Sequence, residues 1–184
     1  MELHAPVHRF ICLTDTSSEP DDIPLEHDWP KWWSKMELFR PGLFSGPVLY
    51  VDLDTLPVGD LSQIAGYRGP LAMLSDFYKP SRAQSGVMAF TPGPVTEGLW
   101  EMWIANTAMQ IHRYRGDGEW LHAHCGPDRL QELFPGQIVS LKTHCKPPKA
   151  KGPPKGARLV CLHGRPRPNS PKAGWAYDLW KERA

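Results

Sequence analysis

Gly46-Pro47-Val48-Leu49-Tyr50-Val51-Asp52-Leu53-Asp54-Thr55-Leu56 is the stretch that decides the fold, because an apolar strand ends abruptly in two carboxylates one residue apart. An uninterrupted apolar run suits a strand buried on both faces, as in a parallel sheet covered by helices. Ligands collect just beyond the carboxyl ends of such strands. Asp52 and Asp54 therefore admit two readings on spacing alone. They hold a hard divalent cation, Mg²⁺ or Mn²⁺, whose remaining positions go to water and substrate phosphate. Alternatively, Asp54 caps the turn into Thr55-Leu56-Pro57 and Asp52 is merely solvated.

Working outward, Arg9 to Thr14 reads as a strand and Thr16 to Asp22 as a loop. Pro30 opens a helix over about Lys31 to Phe39, which Pro41-Gly42 stops, with Trp32, Trp33, Met36 and Phe39 packing and Lys35 facing elsewhere. Beyond the acidic pair, Val58 to Tyr67 is a connection with a short helix, and Leu71 to Leu74 is a strand leading to Asp76, another carboxylate suited to turn capping. Gln84 to Phe90 is a strand whose Ser85-Gly86 pair either lets a substrate approach the backbone or marks a bulge. Glu97 to Tyr114 is the clearest helix, with Trp100, Trp103, Ile104, Ala108 and Ile111 on one stripe as core. Asp117 opens the next helical turn as a possible N-cap. Gln137 to Thr143 and Ala157 to Leu162 read as two more strands, followed by His163-Gly164 and by Arg165 and Arg167, planar donors suited to phosphate oxygens. Gly174 to Arg183 is amphipathic and packs Trp175, Leu179 and Trp180 over the sheet.

At 184 residues and a net charge of +1, the chain fits one domain, 1–184, with no field to steer it toward nucleic acid. It offers neither the apolar core of a signal peptide nor a run of roughly 20 apolar residues, so it reads as cytoplasmic with no transmembrane segment. Cys12, Cys125, Cys145 and Cys161 lack CxxC spacing and read as reduced thiols. His122, His124, Cys125, His144, Cys145, Cys161 and His163 form a pool of zinc-type ligands, but no finger spacing links them. The basic Pro/Gly-rich loop at 146–156 cannot build a core; it is either a solvated connector or a lid whose lysines approach a diphosphate.

Taken in order, several of these pieces resemble GT-A-type glycosyltransferases, most closely the family-8-like, glycogenin-like branch and its short bacterial and phage relatives. The DxD strand is Leu49 to Thr55, preceded by Lys35 in Trp32-Trp33-Ser34-Lys35-Met36-Glu37-Leu38-Phe39. Gln84-Ser85-Gly86 is similar to the family's Asn-Ser-Gly strand, Gly116-Asp117-Gly118 to its Gly-Asp-Gln segment, and His163-Gly164 through Pro168 to its closing His-Gly-x-x-x-Pro. Gln84 and Gly118 depart from the family's usual Asn and Gln. The similarity spans roughly Arg9 to Trp180.

The resemblance implies an α/β, Rossmann-like, mainly parallel mixed sheet flanked by helices. In the family a first strand holding the nucleotide base precedes the segment matching His8 to Asp15. Seven residues precede His8 here, so the expected sheet is N-terminally abbreviated. The implied activity is transfer of a sugar from a nucleotide-diphosphate donor to an unidentified acceptor hydroxyl, with Mn²⁺ or Mg²⁺ on Asp52, Asp54 and His163. Lys35, Asp76, Ser85, Gly86, Gly164, Arg165 and Arg167 become donor-binding residues, and Asp117 and Gln84 catalytic ones. Two other readings stand beside it: a non-catalytic or partner-dependent remnant, and an unrelated metal-dependent phosphate enzyme using the same carboxylates. Oligomeric state is not legible.

Overall fold

The computed structural model describes residues 8–16, 18–147 and 149–182. Met1 to Val7, on which the expectation of an abbreviated sheet rests, lie outside the described residues. The strands are β1 (Cys12–Thr14), β2 (Asp22–Pro24), β3 (Val48–Val51), β4 (Thr55–Pro57), β5 (Ala72–Ser75), β6 (Ala83–Phe90), β7 (Asp128–Arg129), β8 (Ile138–Ser140) and β9 (Leu159–Cys161). The α-helices are α1 (Ser62–Ala65), α2 (Pro94–Ala105), α3 (Thr107–Arg113), α4 (Asp117–Cys125), α5 (Leu130–Leu133) and α6 (Trp175–Lys181). No helix among the described residues is long and apolar enough to cross a membrane.

The architecture is mixed α/β. Strand order is β3-β6-β5-β7 in one sheet and β4-β9-β8 in a second, with β1 and β2 paired apart from both. The expected mainly parallel sheet gives way to an even mixture. Among the described residues β1–β2, β5–β7 and β8–β9 are parallel, whereas β3–β6, β5–β6 and β4–β9 are antiparallel. The reason is connection length: the loop from Asp76 to Arg82 is too short for a crossover, so β6 must run back along β5.

The apolar run packs against a core on each face but is only partly buried, short of the strand buried on both faces that the sequence suggests. Successive side chains of a strand alternate between faces. Val48 and Tyr50 join a core with Met73, Met88, Phe90, Trp103 and Trp120, while Leu49 and Val51 join another with Leu74, Val87, Ala89 and Ile138. β3 is an edge strand, so its four residues are half-buried. A third core lies where β4, β8 and β9 meet α6, around Leu56, Val160, Leu162 and Ala176.

The segment Lys31–Phe39 has the expected bounds but is a 3₁₀ helix. At three residues per turn, side chains eclipse at i and i+3. Trp33, Met36 and Phe39 therefore form one buried column, and Trp32 falls outside it at 46 % exposed. The predicted long helix breaks at Asn106 into α2 and α3. Within α2 Leu99 and Trp103 are buried and Ile104 faces solvent; past the break the phase is reset, so Ala108 faces solvent and Gln110 is buried instead.

Candidate functional site

The two sheets meet at the acidic turn. Asp52 N–H donates to the Gly86 carbonyl at 2.8 Å, prolonging the β3–β6 ladder by one residue, and Thr55 N–H donates to the Asp52 carbonyl at 2.9 Å, closing the turn. The chain then enters β4, whose Thr55 stands opposite Cys161 of β9. Leu162 N–H donates to the Asp54 carbonyl at 2.8 Å. The backbone thus brings two motifs more than a hundred residues apart, the acidic turn and His163-Gly164, side by side.

Asp52 lies two residues after Tyr50, so strand alternation sends both to the face covered by the 3₁₀ segment. Lys35 reaches across from that segment. Its ammonium is 2.9 Å from Asp52 Oδ1, 3.3 Å from Ser85 Oγ and 3.8 Å from Asp117 Oδ2, and the Tyr50 hydroxyl donates to Asp52 Oδ1 at 2.7 Å. Asp117, the first residue of α4, is buried, and its Oδ2 has no hydrogen-bond partner. Burial pushes its carboxyl above the ordinary range against the pull of Lys35 and the Ser85 hydroxyl, with Asp52 adding to the rise. Asp54 is also raised, by burial and then by the charge of Asp52, and Arg167, which ion-pairs with it, pulls it back. Burial and the adjoining carboxylate Asp52 push the Tyr50 phenol up.

Gly86 lies beside the Asp52 carboxylate, with room for an ordinary side-chain contact. A Cβ there would sit 3.4 Å from Asp52 Oδ2. The β5–β6 register slips between Met73 and Leu74, whose partners are Met88 and Gln84, leaving Ser85, Gly86 and Val87 unmatched on β6. The bulge reading of Gly86 is thus observed, and the bulge turns Ser85 toward Lys35.

A second group lies apart from the first. Gln84 donates its amide to Asp76 Oδ2 at 2.7 Å, and Asp76 Oδ1 accepts from the backbone of Tyr78 and Lys79. Partial burial raises the Asp76 carboxyl, but those three donors prevail and hold it below its ordinary value. His163 Nε2 is 2.8 Å from Ser140 Oγ, and the imidazole stacks on Phe77 with ring centroids 5.3 Å apart. Burial and then the Lys142 ammonium depress its pKa. Gly164, at φ +73°, leaves room for Lys142, whose Nζ would lie 3.1 Å from a Cβ there.

Among the described residues no three His, Cys, Asp or Glu side chains are gathered to hold a metal. Asp52 and Asp54 share one turn, and His163 lies beside that turn in the backbone, but its ring is engaged by Ser140. The zinc-type ligands do not assemble either: the four cysteines are free, and His144 Nδ1 accepts from Ser140 N–H. The structure therefore joins Lys35, Ser85, Gly86, Asp52, Asp54, Asp117 and Arg167 around the turn, and places Asp76, Gln84 and His163 in a neighbouring group. Three participants escape a reading of the sequence. Tyr50 carries a signal, its i, i+2 relation to Asp52. Ser140 and Lys142 carry none, because only the β8–β9 pairing brings them to His163. No known protein-family model matches this chain, and no curated protein matches it.

Proposed function

We propose that the chain transfers a sugar from a nucleotide-diphosphate donor to an acceptor hydroxyl. The observation that carries this reading is the convergence of two cations, Lys35 and Arg167, with three carboxylates, Asp52, Asp54 and Asp117, at one strand-end turn. Breaking the anomeric bond leaves positive charge on the sugar and sends the electron pair out with the diphosphate. Fixed charges of both signs are what such a transition state requires. The turn also fits a hard cation of the kind held by one or two carboxylates plus water and substrate phosphate. Asp52 and Asp54 would hold Mn²⁺ or Mg²⁺, which supplies Lewis-acid neutralisation of the leaving diphosphate; His163 is not needed as a ligand in this proposal.

The chain's own residues do the rest. Lys35 and Arg167 neutralise phosphate oxygens, with Arg165 and the half-buried Lys142 beside Gly164 as further donors. Asp117, poorly solvated and aimed at Lys35, orients a sugar hydroxyl. The Gln84 amide, fixed through its nitrogen by Asp76, presents its carbonyl oxygen as an acceptor. The bulge at Ser85-Gly86 brings the backbone close to the sugar. The alternative, a non-catalytic or partner-dependent remnant, draws on the same ion pairs, since Lys35 and Arg167 are already paired with Asp52, Asp117 and Asp54. Calorimetry with Mn²⁺ and UDP, GDP, ADP and CDP, on wild type and Asp54→Ala, separates the two. The transferase reading expects Mn²⁺-dependent heat with at least one nucleotide, weakened tenfold or more in Asp54→Ala; no such heat in wild type favours the remnant.

A further inference from the structure

A net charge of +1 conceals a sharp partition along the chain. Met1 to Glu132 carries ten Lys and Arg against eighteen Asp and Glu, whereas Leu133 to Tyr177 carries nine Lys and Arg and no acidic residue. The sum gives no field, but the distribution gives one. Folding keeps these cations together. β8 and β9 are parallel, with Ser140 opposite Cys161, so the segment joining them must cross back from the carboxyl ends to the amino ends. Beyond the turn Leu141–Cys145 that crossover is irregular, and Lys146, Lys149, Lys151 and Lys155 stand exposed along it. Exposed Lys172 joins the near end of the band, because a Cβ on Gly174 would lie 3.4 Å from Pro147.

An aromatic surface borders the lysines. Phe77 stacks on His163 and meets His144, in the turn that opens the crossover, at a ring separation of 5.8 Å. Tyr78 lies edge-on to His163 at 5.5 Å and is 63 % exposed. Lys79 follows it on the surface.

We infer that this band binds single-stranded nucleic acid, its five lysines tracking phosphates and Tyr78 stacking a base. A positive track with an aromatic face beside it holds such strands without reading their sequence, because every base has a π-face. The crossover from Lys146 to Gly156 has no Leu, Ile, Phe or Trp to insert among lipids. None of the five lysines lies on an α-helix that could enter a duplex groove. The surface goes beyond the transferase reading, in which neither these lysines nor Tyr78 takes part.

Fluorescence anisotropy of the full chain with labelled oligo(U) and oligo(dT) of about 16 nucleotides, over about 50–200 mM salt, tests both parts of the surface. Five neutralised phosphates give a log–log salt slope of about −3.5 on a single strand. Combining Lys149→Ala, Lys151→Ala and Lys155→Ala should weaken binding about tenfold or more and flatten that slope by about 2. Tyr78→Ala should weaken binding about fivefold or more and leave the slope unchanged. All four side chains are exposed, so the variants keep the fold. Tighter binding of oligo(U) assigns RNA, tighter binding of oligo(dT) assigns DNA, and equal affinity supports the chemistry the two share. No binding at the lowest salt, or a lysine variant that binds like wild type, overturns the inference. Equal affinity for a duplex of the same length, or full affinity in Tyr78→Ala, also overturns it and leaves a general polyanion surface. Binding confined to phosphatidylserine vesicles makes the band a membrane contact instead, and displacement of the strand by UDP moves it to the donor site; either result sinks the assignment.

Discussion

Replacing Asp117 by Asn should stabilise the protein while impairing it. The ionised carboxylate has a small set of supports. Lys35 at 3.8 Å offers about 4 kcal/mol at an effective dielectric near 20, but the same ammonium is closer to Asp52, at 2.9 Å. The N-terminus of α4 adds about 0.3–1 kcal/mol. Against these stands a desolvation cost of several kcal/mol for a buried ion, and the upward displacement of the carboxyl shows that burial wins. Asn keeps the shape without the charge, so we expect a gain of about 1–2 kcal/mol at neutral pH, or about 3–6 °C in Tm for a chain of this size. The pH dependence gives a second readout. A carboxyl raised in the folded state holds its proton where the unfolded chain, near the ordinary 3.8, has released it. Its contribution to stability therefore grows as pH falls through that window and is lost as pH rises. Thermal unfolding followed by circular dichroism from pH 4 to 8 should show that slope in wild type and a flatter profile in Asp117→Asn. An Asn variant less stable than wild type at pH 7 would mean that the Lys35 attraction outweighs desolvation, refuting the reasoning.

Lys35→Ala, in contrast, strips the partner from two carboxylates; discounting for partial exposure, we expect a loss of about 1–3 kcal/mol. The double variant with Asp117→Asn should recover about 1 kcal/mol relative to additivity, and a strictly additive cycle would disprove the coupling. Glu37 is 0 % exposed and accepts from the backbone N–H groups of Glu26 and His27 and from Arg40 at 2.9 Å. Glu37→Ala should lower stability by about 3–5 kcal/mol in urea titrations; a loss under 1 kcal/mol would show that water replaces the carboxylate.

Glu37 also shows where reading the sequence reaches its limit. In Trp32-Trp33-Ser34-Lys35-Met36-Glu37 it has the look of a surface charge, yet it anchors the 3₁₀ segment to the loop after β2. The bounds of that segment were legible because Pro30 and Pro41-Gly42 act on the backbone locally. Its winding was not, and the winding decides that Trp33 is buried while Trp32 is not. The position of Asp117 at a helix start was equally local, whereas the orphaned state of its Oδ2 depends on what packs over it.

From its order of residues alone the chain specifies β3, the alternation that sends Asp52 to the same face as Tyr50, and the chemical types gathered near the turn, because these follow from bonding within a few residues. Which charges meet is a different matter. Lys35 with Asp52, Arg167 with Asp54 and His163 with Ser140 are pairings across 17 to 113 residues, set by how the two sheets share a turn. Partner choice among side chains depends on distance in space and on solvent exclusion, and neither exists until the sheets have packed.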